Sequence, residues 1–175
     1  MACPLTQGFQ LADCEYGAGG IQEVYIIEFS NLVSLTQASC LVSAIDVGAN
    51  SFYKYDWAEQ LPASMETTEV RDEAAGTLFY ESVLGFQLKG LDADKCAEIR
   101  LLALNRLIII VKTNEDKYFI IGTERGAKKF GGTNSASTGA GFSEFSGYNL
   151  GFTDRSTQEG ALEVDSSVIA GLTIA

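Results

Sequence analysis

The chain has no histidine. That removes Ser-His-Asp and Cys-His nucleophile systems and most catalytic zinc sites. Proline is scarce, at 2 residues, and 46% of the chain is hydrophobic, which argues against disorder. No apolar run approaches the roughly 18 residues of a membrane span. The longest, Leu107–Val111, has the length of a strand. The first twenty residues carry no positive charge and no continuous apolar stretch, so no secretory signal is expected there. That predicts a protein that works in a reducing cytosol or leaves by lysis. Cations are also few: 12 basic residues stand against 23 acidic ones, a formal net charge of -11. Such a surface repels nucleic acid and anionic membranes. It argues against a sequence-reading DNA binder, while leaving room for a surface past which DNA slides. Plain solubility is the alternative use of the same charge.

The four cysteines, Cys3, Cys14, Cys40 and Cys96, follow no zinc spacing. They read as free thiols behaving as small apolar residues, with a Cys3–Cys14 bridge across an N-terminal arm as the alternative. The glycine clusters at 17–20 and 131–132 do not lead from a strand into a helix, and no GK[ST] follows them. The acids of Asp92–Lys95 lack the glycine and terminal glutamate of a calcium loop. Glu66 with Glu69, and Asp92 with Asp94, read as solvated acids rather than glycosidase pairs. No enzyme activity, cofactor or metal is expected.

A chain of 175 residues builds one domain with a real core. Residues 1–20 read as an N-terminal arm, 21–153 as one β-sandwich or barrel domain, and 154–175 as a polar C-terminal tail with a weak β segment, Val168–Ile174. Strands are predicted over Ile21–Phe29, Ala38–Val47 and Tyr148–Thr153, from β-branched and aromatic content. Ser51–Glu59 and Ser64–Asp72 form a long polar hairpin, residues 51–76, that projects from the domain. Thr77–Lys89 is a long strand, with Gly85 marking a bend or bulge. One short flanking helix spans about 93–104, capped by Asp92 and stopped at Asn105. Its apolar stripe is Cys96, Ile99, Leu102 and Ala103. Arg106–Thr113 and Lys117–Thr123 form a hairpin, and Leu107–Val111 is apolar on both faces. Residues 131–147 are a Gly/Ser loop.

Tyr53, Tyr55 and Trp57 share one face of an extended segment. With Phe142 and Phe145 of the Gly/Ser loop they are the candidate subunit-interface residues, since Tyr and Trp are favoured at interfaces. The projecting hairpin, the loop and the two termini would each leave strand edges unpaired in a monomer. A homo-oligomer satisfies those edges most simply, and a head-to-tail contact makes rings or tubes.

The block Leu88–Thr123, centred on NRLIIIVKTNEDKYFIIG, is followed by GYNLGFTD at residues 147–154. The chain opens with MACPLTQGF and then GGIQEVYIIEF. This layout resembles the tail tube (major tail) proteins of tailed bacteriophages, or a related virion structural protein of Bacteroides-group phages. The resemblance implies a β-sandwich with one flanking helix and a stacking hairpin, which maps here to residues 51–76. It implies hexameric rings stacked into a tube, with DNA passing non-specifically through the lumen during ejection. It also implies other virion proteins as partners, no membrane, and assembly into a virion in the host cytoplasm. A capsid auxiliary or head-fibre protein is the alternative, and a stand-alone ligand-binding β-sandwich the second.

Overall fold

The run Leu107–Val111 organises the molecule because both of its faces are apolar. The structure, a computed structural model, describes residues 17–56, 62–130 and 134–175. The run lies in β7 (Leu107–Thr113), which pairs antiparallel with β1 (Ile21–Glu28) and with β8 (Tyr118–Ile121). These strands are central to a seven-stranded sheet. On the β8 side it continues through β12 (Leu162–Val164), β3 (Leu41–Asp46) and β2 (Ser34–Ala38); on the β1 side it ends at β4 (Tyr53–Asp56).

A second sheet packs across it. Its order is β10 (Ser135–Ser137), β11 (Gly147–Ser156), β6 (Thr77–Lys89) and β5 (Ala63–Asp72). The two-residue strand β9 (Lys128–Lys129) also pairs with β11, beside β10. The 12-residue helix α1 (Ala93–Leu104) flanks the sandwich, and α2 (Ser166–Gly171) is a shorter helix near the end of the chain.

Alternation along β7 then divides the core in two. Leu107, Ile109 and Val111, with Val24 and Ile26, face Leu84, Phe86, Leu150 and Phe152 of the second sheet. Phe86 and Phe152 stack there at 5.7 Å between ring centres. Ile108 and Ile110, with Tyr25, Ile27, Val42 and Val164 of the same sheet, face the other way, where they cluster with Phe52 and with Ile169 of α2. Fully burying one such aliphatic side chain stabilises by about 1.5–3 kcal/mol, so this strand anchors both layers. The second face needs no neighbouring subunit, because the chain's own α2 supplies its cover.

The expected mainly β sandwich with a helix over 93–104 is present; both sheets are open, and no barrel closes. Asp92 caps α1 as expected, accepting from the Lys95 amide at 2.8 Å, and Asn105 ends it. Several expectations are corrected. Residues 51–76 are not one hairpin. Phe52 is drawn into one core and Tyr55 packs against the other, which fixes β4 on β1, while the polar, Thr-rich β5 pairs with β6 in the other sheet. The long hairpin is therefore β5–β6, closed by a turn at 73–76. Gly85 makes no bulge, since pairing runs unbroken through it on both sides. The register shifts lie instead at Ile21/Glu23 and Thr36/Gln37.

Nor are residues 154–175 a polar tail. They complete β11, add β12 inside the seven-stranded sheet and form α2. Asp165 caps α2 by accepting from the Ser167 amide, and Val168, Ile169 and Leu172 pack into the core, which outweighs the β-branched character of Val168 and Ile169. The Gly/Ser loop contributes β10. The arm up to residue 16, with Cys3 and Cys14, and also Trp57 and residues 131–133, lie outside the described residues.

Candidate assembly surfaces

Tyr53 and Tyr55 share one face of β4, opposite Ile26 and Val24 of β1. They differ in burial. Tyr53 is 57% exposed. Tyr55 packs against the inter-sheet core, its ring tilted toward Phe86, and its hydroxyl donates to Glu98 of α1 at 3.1 Å. Burial, with the Glu98 carboxylate beside it, pushes the Tyr55 phenol well above its ordinary range. Tyr55 thus ties α1 to β4. A groove of about 140 Å³ lies between these two elements, with Tyr53, Tyr55, Leu101 and Leu102 among its lining.

Phe142 and Phe145 sit in the loop before β11. Phe142 is fully exposed. Phe145 is half-buried and packs against Gly147. Among the described residues no hydrogen bond or ring contact joins this loop to Tyr53. The structure therefore places Tyr53 and Phe142 in solvent and builds Tyr55 and Phe145 into the fold.

Sequence reasoning missed the outer side of α1. Leu101 and Leu104 are 54% and 74% exposed, whereas only Leu102 of that helix is buried. The signal was present: Ala97, Leu101 and Leu104 recur at i, i+4 and i+7, a second apolar stripe beside the one chosen. Cys96 and Ala103, assigned to the packed stripe, are exposed. Cys40 is exposed too, so neither described thiol acts as a buried apolar residue.

Among the described residues the five-stranded sheet is unpaired along β5 on one side and along the short β10 on the other; beside β10, the residue before β9, Ala127, exchanges hydrogen bonds with Leu107 at 2.7 and 2.9 Å, and α1 lies alongside β9. Its outward side chains include Glu66, Thr68, Asp72, Glu81, Gln87, Asn149, Thr153 and Arg155, mixed with Val70, Phe79 and Val83. Arg155 and Glu81 pair across strands at 2.7 Å. On β5 the acids Glu66, Glu69 and Asp72 are exposed, and Glu73 follows in the turn. On the opposite side the chain reads Arg125, Lys128, Lys129 and then Phe130, which is 60% exposed. Burial lowers the Lys129 ammonium from its ordinary value.

One end of the sandwich is polar. Asp154 is 5% exposed; its Oδ2 accepts from the Gly122 amide at 2.9 Å, and its Oδ1 has no partner among the described residues. Burial raises its carboxyl above the ordinary range. Ser82 stands opposite it on β6 and shares a 2.9 Å hydrogen bond with Thr67 of β5. Glu124 accepts from the Thr157 amide, the Thr157 hydroxyl and the Ser156 hydroxyl at 2.7, 2.8 and 2.9 Å. These donors, the Thr157 amide foremost, bring its carboxyl down to about 2.

A broad concavity of about 600 Å³ lies over the β3–β12–β8 side, lined by Cys40, Asp116, Tyr118, Glu163 and Asp165 among others. It is open and wide, and its acids are not gathered: among the described residues no three Cys, Asp or Glu side chains stand close enough to hold a metal ion. No known protein family, curated protein or solved structure matches the chain.

Proposed function

We propose that this chain is a structural subunit of a tailed-phage virion, a tail tube protein that stacks in rings to form a DNA-conducting tube. The observation that carries this reading is the five-stranded sheet, with a largely polar outer face between two edge strands, β5 and β10, that are unpaired among the described residues. Unpaired edges invite another chain, and a second copy is the simplest partner to supply it. The two edges are different surfaces, so the contact between them is head-to-tail and closes into a ring or runs on as a filament. The net charge of -11 suits a wall along which phosphates slide without adhering. Tyr53 and Phe142, exposed at other places on the surface, supply ring-to-ring contacts. The tube meets other virion proteins at its ends, touches no membrane and assembles in the host cytoplasm.

The size of the species in solution tests this reading. Light scattering of the purified chain should give hexamer-sized rings or larger stacks. A stable trimer would favour the capsid auxiliary alternative. A monomer whose melting temperature rises with a small ligand would favour a stand-alone binding sandwich.

A further inference from the structure

The two sheets are tied at one end by a pair of carboxylates that reach in opposite directions. β11 belongs to the five-stranded sheet and β8 to the seven-stranded one. Asp154 of β11 accepts from the amide of Gly122, the residue after β8, at 2.9 Å. Glu124, two residues further on, reaches back and accepts from Ser156 and Thr157 at the end of β11. Residues 157–161 then cross from β11 to β12, and so from one sheet to the other. The Ser156 hydroxyl also accepts from the amides of Gln158 and Glu159, and the Glu159 carboxylate accepts from the Gln37 side chain of β2. Gly160 closes down on the inner face: a Cβ there would meet Thr67 Cγ2 at 2.5 Å. The crossover is thus held by Glu124 and Gln37 and seated beside the row formed by Thr67, Ser82 and Asp154.

The two carboxylates differ in what they need. Glu124 is exposed and satisfied by three donors, with its carboxyl held down to about 2. Asp154 is 5% exposed, and one of its oxygens has no partner among the described residues. Burial disfavours its charged form, and the Glu124 charge adds to that. Its other neighbours leave it without a counter-ion. Arg125, in the same turn as Glu124, favours the ionised form but pairs with Glu124 at 3.4 Å. Arg155 offers its backbone amide, while its guanidinium pairs with Glu81. Ser82 of β6 and Thr67 of β5 are neutral, with Tyr80 and Glu69 one row further along the same face. Glu159 on the crossover is turned to Gln37.

We propose that Asp154 and Glu124 form a proton-gated clasp between the sheets, closed while Glu124 is ionised and Asp154 is protonated, whose loosening on either side frees the crossover at 157–161. As pH falls from 4.5 toward 2, Glu124 takes up a proton and its three donors lose their anion. As pH rises through the folded value of Asp154, above the ordinary 3.8, the buried end acquires a second negative charge, and the stabilisation present in acid is lost. The clasp is therefore tightest in mild acid and looser at neutral pH, and the segment that opens is local. It is internal to one chain and stands apart from the assembly reading.

Residue-resolved hydrogen exchange tests it, on the full-length chain between pH 4 and pH 8, with rates corrected for the intrinsic pH dependence of exchange. Protection of the Gly122 and Thr157 amides should fall by about fivefold or more across that range, while the amides of β7 keep theirs. Asp154→Asn, checked for folding by circular dichroism, should hold the two amides protected throughout. Glu124→Gln should lower protection of Thr157 at every pH. Flat protection in wild type, a fall that persists in folded Asp154→Asn, or unchanged Thr157 protection in folded Glu124→Gln overturns the clasp. If a variant does not fold, the wild-type side-chain carboxyl signals in NMR decide: an Asp154 midpoint above 3.8 supports the clasp and one below it overturns it.

Discussion

At the residue scale, strain and burial mark two positions. Ser39 and Cys40 connect β2 to β3 as a two-residue turn, with φ of 51° and 64°. Both are left-handed, as a type I′ turn requires, yet neither is glycine or asparagine. A side chain in this region costs roughly 1–2 kcal/mol per residue. Cys40→Gly should therefore stabilise by about 0.5–1 kcal/mol after the entropy of the freer unfolded chain is counted, read as a higher urea midpoint with unchanged slope. Asp154 is the second position. Its folded carboxyl titrates above the ordinary 3.8, so its contribution is most favourable at low pH and is lost as pH rises through the folded value. Asp154→Asn keeps an acceptor for the Gly122 amide and removes the buried charge. At pH 7 it should raise stability by about 1–2 kcal/mol, and the gain should vanish toward pH 3. Glu124 works with the opposite sign. Its carboxyl falls from 4.5 to about 2, so its stabilisation is present above 4.5 and is lost between there and 2. Glu124→Gln should thus flatten the acid limb of the stability curve.

At the element scale, α1 is the local unit with the clearest cause. Its interior has no strong amphipathic face, and only Leu102 is buried, so its ends matter more than usual. Asp92→Ala removes the acceptor for the Lys95 amide and the 2.8 Å ion pair to the Lys95 ammonium. A lower urea midpoint with unchanged slope is expected in chemical denaturation. Elements like this one, set by local chemistry, were legible in the sequence: the capped helix, the 13-residue strand β6 and the β7–β8 hairpin all fall where composition and turn signals placed them. What failed was the pairing of distant segments. Period-2 alternation says that β4 and β5 are strands but not which partners they take, and two neighbouring strands were read as one hairpin. Phe52 and Tyr55 decided otherwise by burying themselves on opposite sides of the seven-stranded sheet. Val168 and Ile169 misled for a similar reason, because a short helix capped by Asp165 buries them just as well as a strand would. Of the candidate interface residues, aromatic identity alone could not separate Tyr53 from Tyr55. That distinction depends on α1, which arrives from elsewhere in the chain to receive the Tyr55 hydroxyl.

At the scale of the whole molecule, one sheet is covered on both faces and the other on one. The seven-stranded sheet is covered on both faces by the chain itself, with one core toward the second sheet and another under α2. The five-stranded sheet is covered on its inner face only, and its edge strands β5 and β10 are unpaired among the described residues. On the proposed reading, the layer covered on one face only is the one that joins other copies. The most direct measurement is negative-stain electron microscopy of the purified full-length chain near physiological salt. The account predicts stacked rings or hollow tubes of uniform width; particles of single-chain size at every concentration and ionic strength would contradict it.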